Sequence, residues 1–169
     1  MAVEAFKELF GNFTQSGIVE FISIRPKRLE DVRTLDVVQA VQDGGLEGDR
    51  YRNAGGSRQV TLIQAEHLQA IASYLGKESV DPKLTRRNIV VKGINLLALK
   101  SQRFQIGQAI LEYSGECHPC SRMEENFGPG GYNAMRGHGG ITAKVIHGGE
   151  IRIGDTVSVL AKKDTETRD

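Results

Sequence analysis

The 169-residue sequence has little cysteine, almost no excess charge and no long apolar run. It contains two cysteines, and its 22 Lys and Arg residues are balanced by 21 Asp and Glu residues. A net charge of +1 provides no overall field that would attract nucleic acid or a membrane surface, so any anion site must be local. We therefore expect neither nucleic acid nor membrane as a partner.

The amino-terminal segment MAVEAFKELFGNF carries Glu4 and Glu8 and no uninterrupted apolar run. This pattern fits neither a signal peptide nor a transmembrane span. We therefore expect a cytoplasmic protein, in which a structural disulfide is rare. Two cysteines are too few for an iron–sulfur cluster, and no segment indicates a flavin site.

Hydrophobic periodicity predicts a mainly β, single-domain fold with one or two short helices. Apolar and polar residues alternate in short runs that are broken by Gly, Pro, Asp or Asn, as in strands. Helical spacing is clear over residues 64–76, where Gly76 suits a helix end, and residues 1–13 indicate a short amphipathic helix. Because strand–helix–strand alternation does not recur, we predict a closed or nearly closed β-barrel. The predicted strands are GIVEFISIR, LDVVQAVQ, RQVTLI, RNIVVKG, SQRFQIG, QAILEYSG, ITAKVIHGG and DTVSVLA.

Both cysteines lie in GECHPCSRMEE, residues 115–125. Pro119 suits a helix start and Gly128 a helix end, so a short helix is expected to begin at Cys120. Unpaired backbone N–H groups at a helix start, together with Arg122, favour the thiolate of Cys120. Such a sulfur can act as a nucleophile, bind a soft metal or carry sulfur.

Three other interpretations of the cysteine pair stay open. A thioredoxin-like redox pair would open a long helix within βαβ architecture, whereas this pair comes late in a β-rich chain. A structural zinc site needs four ligands, and His118, His138 and His147 are the histidines nearby. Cys117 could also be no more than a small buried side chain.

Arginines in three other segments suggest an anion site. GGLEGDRY and NAGGSRQVTLI contain Arg50 and Arg58 beside glycine-rich turns, and a guanidinium can bind a phosphate or carboxylate through two N–H groups. TRRNIVV places Arg86, Arg87 and Asn88 directly before a strand. Each segment alone could be a structured loop or a solvated rim. Together with the thiols, they favour a small anionic cofactor or substrate at one end of the barrel.

Two glycine-rich segments near the carboxyl end give further expectations. Residues 126–141, NFGPGGYNAMRGHGGI, contain six glycines and are predicted to be an irregular lid or binding loop that supplies Arg136 or His138, or a disordered surface loop. Residues 148–157, GGEIRIGDTV, are predicted to form a pair of strands with Ile151 and Ile153 on one face.

Five segments in this order resemble the MOSC domain, the module found at the carboxyl terminus of molybdenum cofactor sulfurase. They are GLEGDRY, GGSRQVTLI, RRNIVVKGINLLAL, FQIGQAILEYSGECHPCSRME and GGITAKVIHGGEIRIGDTV. The resemblance implies a fold similar to the pyruvate kinase β-barrel. It covers roughly residues 16–160. Together with the residue patterns at the two ends, we predict a domain at 16–162, a helical arm at 1–15 and a polar tail at 163–169.

The resemblance also implies that Cys120 is the essential cysteine of the family. In the sulfurase this cysteine receives sulfur from a pyridoxal-phosphate desulfurase domain and passes it on as a persulfide. In larger relatives such as the mitochondrial amidoxime-reducing component it ligates the molybdenum of the molybdopterin cofactor. Cys117 would then be an auxiliary thiol that resolves or protects the persulfide. The residues expected to bind the anionic cofactor are Arg50, Arg58, Arg86, Arg87, Asn88 and Arg122.

The chain departs from the family pattern in two ways. Tyr51 follows the GDR triplet, where many relatives have histidine, so no general acid is expected there. Residues 1–15 also leave no room for the additional β-barrel domain that helps larger relatives to hold the pterin. The expected function is molybdenum-cofactor-related sulfur transfer, with a cysteine desulfurase or molybdoenzyme as partner, or reduction of N-hydroxylated compounds with a separate reductase. The alternative is a non-catalytic module that binds or delivers the cofactor.

Overall fold

The structure, a computed structural model, describes residues 2–50 and 55–161. Tyr51 and the predicted tail at 163–169 lie outside the described residues. In the described ranges the helices are α1 (Ala2–Gly11), α2 (Ala65–Tyr74), α3 (Ser121–Phe127) and α4 (Gly131–Met135), and 3-10 helices span Pro82–Thr85 and Leu96–Leu99. The strands there are β1 (Gly17–Ile24), β2 (Arg33–Leu35), β3 (Val37–Val41), β4 (Gly45–Leu46), β5 (Val60–Gln64), β6 (Ile89–Lys92), β7 (Arg103–Ile106), β8 (Ala109–Glu116), β9 (Ile141–His147), β10 (Gly149–Arg152) and β11 (Thr156–Val159).

Seven of the described strands close into a barrel. Their order is β11-β7-β8-β9-β5-β6-β1, and pairing of β1 with β11 completes the ring. Neighbouring strands are antiparallel except β5 and β6, which are parallel and are connected through α2. The predicted mainly β fold with a closed barrel and few short helices is therefore confirmed.

Strand β5 separates two hydrophobic clusters. All five of its residues are buried, because one face lines the barrel and the other is covered by helices, as is usual for parallel strands. Leu62 belongs to the barrel core. Ile63 belongs to a second cluster with Ile71 of α2, Met123 of α3 and Met135 of α4. This second cluster fixes the three helices on the outside of the barrel.

The prediction that residues 126–141 are irregular was wrong. This segment contains the end of α3 and the whole of α4. The Glu124 carboxylate accepts hydrogen bonds from the N–H groups of Gly130 at 2.6 Å and Tyr132 at 3.0 Å, which satisfies the start of α4. Met135 is fully buried and anchors the other end of the helix.

The predicted pairing within residues 148–157 was also wrong. Strand β10 pairs with β3, whereas β11 pairs with β7 and β1. Ile151 is fully buried, but Ile153 is 45% exposed because it lies in the turn between β10 and β11. A glycine-rich turn therefore joins two strands that belong to different sheets.

None of the helices in the described ranges is long and apolar enough to cross a membrane.

Asn88 joins three barrel strands at one end of the barrel. Its side-chain oxygen accepts hydrogen bonds from the backbone N–H of Thr61 at 3.0 Å and from the Thr61 hydroxyl at 3.1 Å. Its amide nitrogen donates to the Ser23 carbonyl at 3.1 Å. The residue is 1% exposed, so these bonds are made without competition from water.

We expect Asn88→Ala to lower the free energy of unfolding by about 2–4 kcal/mol, because it leaves buried polar groups of Thr61 and Ser23 unsatisfied. Urea denaturation measures the loss, and Asn133→Ala, at an exposed position of α4, is the matched control. A loss as small as that of the control would contradict this structural role.

Candidate functional site

The two cysteines lie between β8 and α3 in different environments. Cys117 is 2% exposed, and its backbone N–H donates to the Gly140 carbonyl at 2.8 Å. Cys120 is exposed and has an extended backbone immediately before α3. Its carbonyl accepts the Met123 N–H at 2.9 Å. The predicted helix start at Cys120 is therefore confirmed, and only one of the two sulfurs belongs to a solvent-exposed residue.

Burial of α3 fixes the position of Cys120. Met123 is 1% exposed and Phe127 is 6% exposed, and both pack into the cluster that covers β5 and β6. Their i, i+4 spacing places both side chains on one face of the helix. The opposite face of α3 is exposed to solvent. Cys120, the residue before the helix, therefore lies at the surface beside a firmly packed element.

Arg87 anchors the backbone around the cysteines through hydrogen bonds. Its side chain is buried, and its guanidinium donates to four carbonyl oxygens from three parts of the chain. Its Nε donates a hydrogen bond to the Gly139 carbonyl at 2.7 Å, and its Nη1 donates to the Thr85 carbonyl at 2.9 Å. Its Nη2 donates to the Cys117 carbonyl at 3.1 Å and to the His118 carbonyl at 3.5 Å. One cation thus connects the cysteine segment, residues 117–120, with the glycine segment, residues 136–140.

The electrostatics of Arg87 follow from this burial. Desolvation lowers the pKa of its guanidinium below the usual value, the neighbouring Cys117 opposes that shift, and Arg58 adds to it. Arginine nevertheless remains charged at neutral pH. A positive charge therefore lies beneath both cysteines, since Cys120 also contributes to raising the pKa of Arg87.

Arg58 brings a second guanidinium to the cysteine pair. Its Nη2 donates a hydrogen bond to the Cys117 sulfur at 3.2 Å, and the residue itself is exposed. A cation that donates to sulfur is the kind of environment in which a cysteine site binds anions or reacts as a nucleophile. The structure therefore brings together four of the predicted site residues: Cys117, Cys120, Arg58 and Arg87.

The glycine segment can pack closely on neighbouring backbone only because Gly139 and Gly140 have no side chains. A Cβ at Gly139 would collide with the Cys117 carbonyl oxygen. Gly140 has a φ of +86°, and a Cβ there would collide with the Leu62 carbonyl oxygen. The glycine-rich sequence therefore permits close backbone packing rather than flexibility.

A histidine pair that the sequence did not predict supports the glycine segment from the other side. The rings of His67 and His138 meet edge to face with centroids 4.7 Å apart, and Tyr74 stacks on His138 at 5.5 Å. Both Nδ1 atoms are buried and have no hydrogen-bond partner among the described residues. Desolvation and the proximity of His138 lower the pKa of His67, although Glu66 opposes the shift. The i, i+7 spacing of His67 and Tyr74 on α2 is the only sequence signal for this cluster.

The other predicted site residues lie in separate local contacts. Arg122 pairs with Glu125 at 3.7 Å. Arg50 follows β4, is exposed, and donates its backbone N–H to the Arg25 carbonyl at 2.8 Å. Arg86 is half-buried, with a φ of 59°. Roles for these three in binding an anion stay predictions.

The side chain of Asn88 is committed to the barrel strands, as described above. Its contacts therefore give no support to the prediction that it binds a cofactor.

The zinc interpretation finds no ligand set in the part of the chain that is described. No group of three or more His, Cys, Asp or Glu side chains there could hold a metal ion. His118 reaches Glu116 at 3.7 Å, while His138 is engaged with His67 and Tyr74. A single soft donor, the exposed Cys120, remains as the candidate metal ligand.

Comparison with known proteins adds a family and a set of related folds. A family model described as "MOSC domain" matches residues 49–158. Among solved structures, the chain is similar to the YuaD protein from Bacillus subtilis, with a TM-score of 0.75 and 21% identity, over 86% of this chain and 96% of that chain. No curated protein gave a significant match.

Two further solved structures have the same fold. YiiM from Escherichia coli has a TM-score of 0.65 and 19% identity, over 86% of this chain and 71% of that chain. YiiM from Geobacillus stearothermophilus has a TM-score of 0.70 and 17% identity, over 86% of this chain and 76% of that chain. At these identities the similarity establishes the fold.

The burial of the cysteines predicts unequal reactivity. We expect Cys120 to react with an aromatic disulfide reagent at least about 100 times faster than Cys117, which must first be exposed by local opening. Arg87→Lys removes the forked contacts to Gly139 and Cys117, so Cys117 should then react at least about ten times faster. Stopped-flow absorbance measures both rates. Equal rates for the two thiols in the unmodified protein would contradict the arrangement, and Arg136→Lys, at an exposed position, is the control.

The histidine pair predicts a pH dependence of stability. Because the pKa of His67 is lowered in the folded protein, below about pH 6.5 the unfolded chain takes up a proton that the folded chain does not. The free energy of unfolding should therefore fall as the pH decreases from 6.5 towards the folded-state value. Urea unfolding at several pH values measures this slope, which should decrease in His67→Gln and persist in His147→Gln, at an exposed position. An unchanged slope in His67→Gln would show that other groups cause it.

Proposed function

Because the chain belongs to the MOSC domain family, which is associated with the molybdenum cofactor, we propose that Cys120 carries sulfur as a persulfide in molybdenum-cofactor-related sulfur transfer. The observation that carries this proposal is the contrast between the two thiols. Cys120 is exposed at the end of a rigid element, while Cys117 is buried beside the guanidiniums of Arg58 and Arg87. A carrier needs one accessible sulfur and nearby positive charge to stabilise an anion on it.

The transfer step balances without an external oxidant. The Cys120 thiolate attacks the outer sulfur of a persulfide on a donor protein, such as a cysteine desulfurase. A bond forms between the Cys120 sulfur and this outer sulfur, and the sulfur–sulfur bond in the donor breaks. The donor cysteine leaves as a thiolate. The proton of Cys120 passes to solvent, and the product is a persulfide on this chain.

The chain's own residues have distinct parts in this step. Arg58 holds the Cys117 sulfur through the 3.2 Å hydrogen bond and brings its charge to the surface beside the pair. Arg87 fixes the backbone of Cys117 and His118, so Cys120 keeps its position when sulfur is added. Burial of Cys117 protects the persulfide, because a second thiol in contact with it would release the sulfur as sulfide and leave a disulfide.

The donor set also fits the molybdenum cofactor. An exposed thiol is a soft ligand that suits such a metal, and guanidiniums suit the phosphate of a pterin. Cys120 would hold the metal, and Arg58, which contacts the cysteine pair, would bind the anionic part. Arg50 and Arg86 stay predictions for that role. When bound, the cofactor would supply redox chemistry towards N-hydroxylated compounds, with electrons from a separate reductase. Sulfur transfer is the better-supported function, because it requires only the exposed thiol and the two guanidiniums that contact the cysteine segment.

The proposal predicts where added sulfur is found. The purified protein is incubated with a cysteine desulfurase, pyridoxal phosphate and cysteine, and its intact mass is measured under non-reducing conditions. We expect a gain of about 32 Da that a thiol reductant removes. The gain should be absent in Cys120→Ser and retained in Cys117→Ser.

Equal labelling of Cys120→Ser and the unmodified protein would exclude Cys120 as the carrier. If Cys120→Ser loses no activity in molybdoenzyme maturation and still binds the cofactor, the protein is a delivery module rather than a sulfur carrier. Circular dichroism confirms that both variants are folded before the masses are compared.

A further inference from the structure

Helix α1 has an apolar face that the rest of the described chain does not cover. Four large apolar residues on it are exposed: Val3 by 69%, Phe6 by 60%, Leu9 by 61% and Phe10 by 68%. None of the residues of α1 is buried. At its carboxyl end the helix is tied to the barrel domain by a hydrogen bond of 2.8 Å from the Gln102 side chain to the Phe10 carbonyl.

A groove adjoins this apolar face. It has a volume of about 310 Å³, and its apolar lining comes both from the end of α1 and from the 3-10 helix at Leu96–Leu99 with its flanks. These apolar residues are Leu9, Phe10, Phe13, Ile94 and Ala98. The exposed face and the groove therefore form one continuous apolar surface, which we call the arm surface.

Charge and composition argue against two occupants of the arm surface. The helix carries Glu4, Lys7 and Glu8, so its net charge is negative, whereas helices that lie on membranes are typically rich in Lys and Arg. The residues outside the described ranges are Met1 and the segments YRNA and KKDTETRD. These contain too few apolar side chains to cover two phenylalanines and a leucine.

A second copy of the chain has the chemistry and the area that the arm surface needs. Taking about 150–250 Å² for a fully exposed aromatic side chain, the four residues expose roughly 500 Å² in each copy. A symmetric pair then buries roughly 1,000 Å², the lower limit for a specific interface. Antiparallel pairing also opposes the two helix dipoles.

We propose that α1 pairs with α1 of a second copy, antiparallel about a two-fold axis, and that the arm surface is the dimer interface of this protein. Such an interface is isologous, with the same residues on both sides. The cysteine segment of each copy lies outside this interface. The inference does not depend on the proposed sulfur transfer.

Sedimentation equilibrium of the full chain over a wide range of concentration tests the dimer. We expect a concentration-dependent dimer, and a dissociation constant at least about 100-fold higher in the double variant Phe6→Glu, Phe10→Glu. Ile153→Glu, which changes an apolar residue of comparable exposure at a turn of the barrel, should leave the constant unchanged. Because the α1 residues are not buried within one copy, the double variant and the unmodified chain should have the same thermal stability at concentrations where both are monomeric.

A cross-linking experiment tests the geometry independently. In a chain whose Cys120 is replaced by Ser, Phe6→Cys lies near the expected two-fold axis and should form a disulfide between copies on mild oxidation, whereas Ile153→Cys should not. A protein that is monomeric at all concentrations would overturn the proposal. So would a dimer that persists in the double variant, or a monomer that instead sediments with vesicles of phosphatidylcholine and phosphatidylserine through α1.

Discussion

The candidate site depends on one buried cation. Arg87 connects Thr85, the cysteine segment and the glycine segment through hydrogen bonds to their carbonyl oxygens. Burying a guanidinium is costly unless its N–H groups are satisfied, and carbonyl dipoles meet that requirement without neutralising the charge. The same contacts that make burial tolerable therefore leave a positive charge beneath the two cysteines. Structural support and electrostatic function come from a single side chain.

The barrel gives this cation fixed surroundings. Strands β5 and β6 are parallel, so their outer faces are covered by α2, α3 and α4, and the cluster that includes Met123 and Met135 locks these helices. Asn88 closes the same end of the barrel through Thr61 and Ser23. Cys120 is thus carried by packed elements. In the proposed function, a fixed position suits a thiol that exchanges sulfur with the cysteine of another protein.

The two thiols have different surroundings because their places in the chain differ. Cys117 continues the line of β8, and its N–H pairs with Gly140, so it faces the glycine segment and Arg58. Cys120 ends that extended stretch where α3 begins and lies at the surface. In the proposed function, the exposed sulfur takes part in exchange and the buried one keeps the guanidinium of Arg58 in place. Cys117 and Cys120 are only three positions apart, but the chain changes from strand β8 to helix α3 between them.

The sequence by itself determined the barrel, the helix at 65–74 and the helix start at Cys120. These depend on local patterns: strand periodicity, Gly76 as a helix end, and Pro119 and Gly128 around α3. Only the tertiary structure decided that Arg87 binds carbonyls, that Asn88 joins strands, and that His67 meets His138. Apart from the bond between Arg87 and the nearby Thr85 carbonyl, these contacts connect residues 27 to 71 positions apart, for which a local pattern carries no signal. The structure also decided the place of Ile153, which lies in a turn because its neighbouring strands belong to different sheets. The start of α4 depends on a side-chain contact closer in sequence, from the Glu124 carboxylate to backbone N–H groups six and eight residues later, which hydrophobic periodicity does not reveal.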